Sequence, residues 1–318
     1  MPDKVLITRE IPEAGLNVLD AFDVTVLHER PPGRDELLEA VGGASGVLST
    51  ATETMDGEAM DAAGEALRVV ANMAVGYDNV DIAAATERGV VVTNTPGVLD
   101  ETTADVAFML LLAAARRLGE GERLLRAGEW RWWGPKQLMG PDVWGKKLGI
   151  VGFGRIGQSV ARRAKGFGMD VLYHNRSRRE EAERELGARY LDLDELLETA
   201  DFVSVHTPLT KATNHLIGEP ELRRMKPEAV LVNTSRGPVV DEAALAEALA
   251  DGRIFAAGLD VYEDEPEVHP GLLELENVVL APHIGSASVE TRDRMAVLAA
   301  ENLAAVLRGE DPKTPVDA

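Results

Sequence analysis

The segment that most restricts the fold is Leu148-Gly149-Ile150-Val151-Gly152-Phe153-Gly154-Arg155-Ile156-Gly157, which continues through residues 158–165. An apolar run meets glycines spaced G-x-G-x-x-G and passes directly into a helical pattern. The spacing alone is weak. At the end of a strand and the start of a helix it predicts a turn that cradles a pyrophosphate. Gly152 permits the tight turn, Gly154 lets backbone approach the phosphates, and Gly157 lets helix and strand pack closely. The unpaired N–H groups of the helix start then face the negative charge.

Short β-branched runs alternate with helical patterns on both sides of this unit. Before it, strands are expected at 4–9, 24–29, 46–50, 68–73 and 90–94, with helices at 12–22, 34–41 and 79–88. Around and after it, strands are expected at 147–152, 170–175, 202–206, 229–234, 256–261 and 278–282, and a last helix at 289–307. This alternation predicts βαβ units and parallel sheets covered by helices. A chain of 318 residues suits two such domains. The expected fold class is therefore α/β, with a boundary near 97–101. Segment 101–118 is apolar nearly all round and opens on Thr102-Thr103, so it reads as a buried or interface helix. Trp130-Arg131-Trp132-Trp133-Gly134-Pro135 reads as a loop.

Charge narrows the function classes. The net charge is −21, from 54 acidic against 33 basic residues. Such a surface repels nucleic acid and anionic membranes, and neither is an expected partner. Any site for an anion must be built from local positive groups, which makes clustered arginines informative. The chain has no cysteine, so disulfides, thiol nucleophiles and cysteine-ligated metals are excluded, and no metal site is expected. The N-terminal residues lack a signal-peptide pattern. The longest apolar run, 106–115, is about half the length of a membrane span. A cytoplasmic location is expected.

Cofactor choice is legible at the end of the second strand after the glycine turn. An acidic residue there would hold the adenosine ribose and favour NAD. Asn175 stands 18 residues after Gly157, and Arg176-Ser177-Arg178-Arg179 follow. A neutral residue followed by guanidinium groups suits a ribose phosphate. The expectation is NADP(H) preferred, with NAD(H) possible.

Three later segments follow predicted strands, where open α/β sheets place their ligands. They are Val232-Asn233-Thr234-Ser235-Arg236-Gly237-Pro238, Gly258-Leu259-Asp260-Val261-Tyr262-Glu263-Asp264-Glu265-Pro266 and Leu280-Ala281-Pro282-His283-Ile284-Gly285-Ser286. Reducing a 2-keto acid needs a cation for the carboxylate, a proton donor for the carbonyl oxygen, and a carboxylate to hold that donor charged. Arg236 suits the first role, being forked and always charged. His283 suits the second, since histidine titrates near neutrality. Glu263, Asp264, Glu265 and Glu267 all qualify on composition for the third.

Taken together, these segments, with Val75-Gly76-Tyr77-Asp78-Asn79-Val80-Asp81 and Asn94-Thr95-Pro96-Gly97, resemble the D-isomer-specific 2-hydroxyacid dehydrogenase family along essentially the whole chain. The resemblance implies that Arg236 binds substrate, that His283 donates the proton, and that Glu265, directly before Pro266, is its partner. It implies cofactor contacts from Gly152, Gly154, Arg155, Ile156, Gly157, Asn175, Arg176, Ser177, Arg178, Thr207, Pro208, Thr213, Thr234, Ser235, Asp260 and Gly285. Substrate contacts would come from Ser49, Val75, Gly76 and Arg236. In such enzymes a tryptophan of the second subunit closes the pocket, and Trp133 is the best match. The implied architecture is two Rossmann-like or flavodoxin-like parallel-sheet domains with a cleft between them. Residues 1–98 with 287–318 would form the substrate domain and 99–286 the NAD(P) domain. A homodimer follows from the same resemblance.

Within the family the chain is most similar to glyoxylate and hydroxypyruvate reductases, on its length, the arginine-rich turn and the tryptophan loop. The expected reaction is therefore reduction of glyoxylate or hydroxypyruvate to glycolate or D-glycerate. A D-3-phosphoglycerate or other D-2-hydroxyacid dehydrogenase using NAD is the rival enzyme, but a phosphoglycerate dehydrogenase would present an aspartate where Asn175 stands. A dinucleotide-sensing, corepressor-like protein is the rival outside enzymology.

Overall fold

Each α/β series closes into its own parallel sheet in the computed structural model, which describes residues 2–316. One unit comprises Met1–Leu99 and Ser286–Ala318, the other Asp100–Gly285. Among the described residues the first holds β1 (Lys4–Ile7), β2 (Asp23–Val26), β3 (Gly46–Ser49), β4 (Val69–Asn72) and β5 (Val91–Thr93), in the order β2-β1-β3-β4-β5. The C-terminal helix, Val289–Arg308, packs on β3 and β4. Its N-cap Ser288 accepts from the Thr291 N–H, and it ends on left-handed Gly309.

The second unit holds β6 (Lys147–Val151), β7 (Asp170–His174), β8 (Arg189–Tyr190), β9 (Phe202–Val205), β10 (Val230–Asn233), β11 (Ala256–Leu259) and β12 (Val278–Leu280). Their order is β12-β11-β10-β9-β6-β7-β8, all parallel. Every residue of β9, β10 and β11 is buried, as expected of a parallel sheet covered on both faces. The strand order reverses between β6 and β9, so the chain leaves these two strands in opposite directions and opens a crevice at their C-terminal ends.

The helix Asp100–Ala115 covers one face. It buries Ala104, Ala107, Phe108, Leu110, Leu111 and Ala114 against β10, β11 and the helix Arg155–Gly166. A side chain at Gly258 of β11 would come within 2.9 Å of Leu110 Cβ, so the absence of one lets this helix approach. Arg163 ties the two helices by bonding both Glu101 and Asp105. The opposite face is covered by Leu193–Thr199, Glu219–Arg224 and Glu242–Ala250, which bury Leu196, Leu222 and Leu245.

Several elements depart from their expected limits. The apolar segment 101–118 stops at Ala115, because Arg117 turns left-handed (φ 52°) and starts a separate helix, Leu118–Arg126. The helix expected at 79–88 begins only at Ile82, capped by Asp81. Asn79 is spent outside it, donating to the carbonyls of Thr50 and Glu53. The helix expected at 12–22 divides into Glu13–Leu16 and a 3-10 turn, Asn17–Leu19. A further helix, Gly57–Ala63, lies where none is expected from the sequence.

Candidate active site

His283 lies in the turn after β12 with a left-handed backbone, φ 52°. A non-glycine residue held there carries strain of roughly 1–3 kcal/mol, so its neighbours must fix it. Asp260, just past β11, supplies three acceptors. Its carbonyl takes the His283 N–H at 2.9 Å, Oδ1 the Ile284 N–H at 2.7 Å, and Oδ2 the Gly285 N–H at 2.7 Å. The Asp260 carboxyl is 1% exposed; burial pushes its pKa up, and the bond from Ile284 pulls against it.

The turn delivers the imidazole to Glu265. His283 Nδ1 is 2.7 Å from Glu265 Oε2, with the two side chains 40% and 29% exposed. The other oxygen, Oε1, accepts from the Tyr262 N–H at 3.1 Å. Burial pushes the Glu265 carboxyl up, but the hydrogen bond and charge of His283, with Tyr262 N–H and Arg236, outweigh it and hold it below the ordinary range. An ionised acid on Nδ1 orients a histidine so that its Nε2 is the nitrogen that exchanges a proton with a ligand.

Arg236 is set by Asn233, the buried last residue of β10. Asn233 Oδ1 accepts both the N–H (3.0 Å) and hydroxyl (2.8 Å) of Ser235, and Nδ2 donates to the Arg236 carbonyl at 2.9 Å. The next residue, Gly237, lies so close to the Tyr262–Glu263 peptide that any Cβ would overlap it. The Arg236 turn thus packs on the loop carrying Glu265, and the structure brings Arg236, Glu265 and His283 together.

The glycine turn lies on the same sheet. Gly152 has φ 96°, and a Cβ there would stand 2.6 Å from His206 C and 2.8 Å from Thr207 N. Gly154, by contrast, faces open space, with no atom within 4 Å of its would-be Cβ. It precedes the helix Arg155–Gly166, whose start no side chain caps. The buried Thr207 hydroxyl has no partner among the described residues. An open glycine cradle, uncapped N–H groups and an orphaned hydroxyl fit the pyrophosphate of a dinucleotide.

The NAD-binding-domain model of the D-isomer specific 2-hydroxyacid dehydrogenases matches residues 108–285. The glyoxylate reductase of Korarchaeum cryptofilum is 55% identical over 100% of this chain and 96% of its own length. The chain belongs to the D-isomer specific 2-hydroxyacid dehydrogenase family. It is accordingly an NAD(P)-dependent dehydrogenase. Among solved structures, the TT0316 protein of Thermus thermophilus matches with a TM-score of 0.93 and 48% identity over 99% of this chain and 100% of that one. An NADPH-dependent glyoxylate/hydroxypyruvate reductase of Sinorhizobium meliloti, solved with NADP and malonate, matches with a TM-score of 0.85 and 38% identity over 99% and 97%.

In this dehydrogenase the turn after β7 divides its cations. Asn175 Oδ1 accepts from the Phe153 N–H at 3.4 Å, and its Nδ2 donates to the Ser177 carbonyl at 2.9 Å, which joins the turn to the glycine loop. Arg178 is already engaged: Nε and Nη2 bind Glu183 at 3.0 and 2.8 Å, and its guanidinium lies 5.7 Å from the Tyr190 ring centre. Arg178 and then the Tyr173 hydroxyl hold the Glu183 carboxyl down at about 2. Arg176 and Ser177 are exposed.

The other expected cofactor contacts fall into two groups. Thr207, Thr234 and Ser235 stand just past β9 and β10, while Arg155 and Ile156 open the helix after Gly154. Thr213 closes its own loop, donating to the Pro208 carbonyl at 2.7 Å and accepting from the Thr210 N–H at 2.8 Å. Asp260 and Gly285 are bonded to each other, as above. Sequence reasoning passes over His206 and Asn233. His206 places Nε2 2.8 Å from Ser204 Oγ and Nδ1 3.5 Å from Thr234 Oγ1. Part of its surface stays accessible, yet its surroundings are dry enough that burial pushes the imidazole down to about 3. Its place between a strand end and Thr207-Pro208 is the signal that marks it.

In the first unit, Val75 and Gly76 follow β4 in a loop braced by Asn72, whose Nδ2 donates to the Gly76 carbonyl at 2.9 Å. Ser49, the other expected substrate contact of this unit, ends β3. It is fully buried and its hydroxyl is spent on Asn72 Oδ1 at 3.2 Å. Trp133 is 76% exposed in a loop without regular structure.

Proposed function

We propose that this dehydrogenase reduces glyoxylate and hydroxypyruvate to glycolate and D-glycerate, with NADPH preferred over NADH. The observation that carries the reading is the 2.7 Å bond between His283 Nδ1 and Glu265 Oε2 beside Arg236. Arg236 grips the keto-acid carboxylate and polarises the carbonyl. The nicotinamide, when bound, supplies hydride to the carbonyl carbon. His283 gives the carbonyl oxygen a proton from Nε2, and Glu265 stabilises the charged imidazole before transfer. Val75 and Gly76 contribute backbone N–H groups to the substrate carboxylate, and Trp133 contributes to the pocket of a second subunit.

Asp260 serves this reading as the clamp on the His283 turn, and Gly152, Gly154 and Gly157 as the dinucleotide cradle. The neutral Asn175 and exposed Arg176-Ser177 favour a 2′-phosphate, and the relative from Sinorhizobium meliloti was solved with NADP. The relative from Korarchaeum cryptofilum, a glyoxylate reductase, supports the substrate. Residues 1–98 with 287–318 are assigned substrate binding and 99–286 the dinucleotide. A homodimer is part of the proposal, supported by the exposed Leu118, Leu125, Trp130, Trp132, Trp133 and Met139 within one segment.

Replacing His283 with Ala tests the chemistry. Loss of its acid–base role should lower kcat by about 100-fold or more, with the melting temperature and dinucleotide affinity retained. Near-normal kcat in that variant would remove His283 as the proton donor.

A further inference from the structure

The loop that presents Glu265 runs from Val261 to His269 with neither helix nor strand. Its own hydrogen bonds are few, yet Glu265 must stay within reach of His283. Both arms of the loop are held from outside by one buried side chain. Glu242 opens the helix Glu242–Ala250 and is 5% exposed. Its Oε1 accepts the Glu263 N–H at 2.6 Å, and its Oε2 accepts the His269 N–H at 3.2 Å. The bond is returned: Glu263 Oε1 accepts the Glu242 N–H at 2.8 Å. His215 Nε2 also approaches that Glu263 oxygen, at 3.3 Å.

A buried carboxylate is costly to desolvate, and the hydrogen bonds it accepts offset that cost only in part. An ordinary helix start would be served by the exposed acids this chain has in plenty. Asp241 already caps this helix through the Ala244 N–H. What Glu242 adds is the fixed span between Glu263 and His269, with Glu265 inside it and Gly237 of the Arg236 turn packed on the Tyr262–Glu263 peptide.

We propose that Glu242 is a positioning residue for the reaction, holding the backbone of Glu263 and His269 so that Glu265 stays on His283. The proposal rests on the catalytic roles given above to Glu265 and His283. The groups facing Glu242 are Glu263 and His269. Those facing Glu265 are His283, Arg236, Asp260 and the Tyr262 N–H.

The test is a double-mutant cycle of Glu242→Gln and Glu265→Gln, with kcat, KM and thermal melting measured on the full chain. Displacement of a catalytic group by a fraction of an ångström should cost kcat roughly tenfold in Glu242→Gln, with the keto-acid KM changed less than about twofold. In the Glu265→Gln background the same change should cost less than about twofold, because the group it positions is gone. The acid limb of kcat/KM, set by protonation of Glu265, should move to higher pH in Glu242→Gln as Glu265 leaves the imidazolium. A role in folding alone would lower the melting temperature and leave that limb in place. An equal loss in both backgrounds, or an unmoved acid limb, overturns the proposal. Should Glu242→Gln fail to fold, Glu242→Asp, too short to span both N–H groups, goes through the same cycle with the same two outcomes. If Glu265→Gln alone costs nothing, the catalytic reading itself falls and takes this proposal with it.

Discussion

Arg176 and Arg178 stand two positions apart in one basic turn, and the structure does not treat them alike. Arg178 is bound by Glu183 through two nitrogens, whereas Arg176 is exposed. A phosphate on the ribose would therefore be met by Arg176 and Ser177 without breaking an existing ion pair. Arg176→Ala should lower kcat/KM for NADPH by about tenfold or more, the worth of one charged hydrogen bond, and leave NADH nearly unchanged. Equal losses for both cofactors would show that Arg176 does not read the phosphate. Composition displays the cluster of arginines but not which one a glutamate five residues later has claimed. The segments that follow the strands likewise offer Arg236 and His283, and the family resemblance picks Glu265 from four nearby acids. Asn233, Asp260 and Glu242 shape those residues by accepting or donating to backbone groups, an action that leaves no signature in spacing.

At the level of elements, six of the second sheet's strands are legible because burial on both faces demands continuous apolar runs, while the two-residue edge strand β8, with neither residue buried, shows no pattern to read. They end earlier than the runs suggest. Gly152 and His206 follow β6 and β9 directly, and each still donates its N–H across the sheet, to the carbonyls of His174 and Val151, before the chain turns away at the crevice. The short helix Gly57–Ala63 is illegible, since seven residues show too little period to separate it from a loop. The break at Arg117 is equally hidden: residues on either side carry a good helical pattern, and only the backbone turn divides them. The end of β9 makes its own prediction. His206 is neutral in the folded protein, with its pKa down at about 3, while an unfolded chain binds a proton near the ordinary value of about 6.5. The unfolded state therefore takes up more protons between these values, and stability falls as pH drops through that window. Denaturant unfolding of wild type and His206→Gln should show a stability difference that shrinks from pH 7.5 to pH 5. A difference independent of pH would mean that His206 titrates alike in the folded and unfolded states, and that burial does not hold it neutral.

The whole molecule carries 54 acidic side chains against 33 basic ones, and only 8 of the latter are lysine. Its surface is therefore self-repelling at neutral pH, a cost that added salt screens once the Debye length falls from about 10 Å at 0.1 M to about 3 Å at 1 M. Exposed ion pairs such as Arg34 with Asp56 and Glu58 weaken in the same range, but each is worth about 0–1 kcal/mol. Repulsion outweighs them, so the melting temperature should rise from 0.1 to 1 M potassium chloride; a fall would show that the ion pairs dominate. On the proposed function, an anionic substrate and an anionic cofactor would be drawn in by Arg236 and the turn at 176 against this mean field. The most direct test of the proposed function is NADPH oxidation, followed at the nicotinamide absorbance with glyoxylate, hydroxypyruvate and 3-phosphohydroxypyruvate, and repeated with NADH. Rapid turnover of glyoxylate or hydroxypyruvate with a higher kcat/KM for NADPH is the predicted result; activity confined to NADH or to the phosphorylated acid would contradict it.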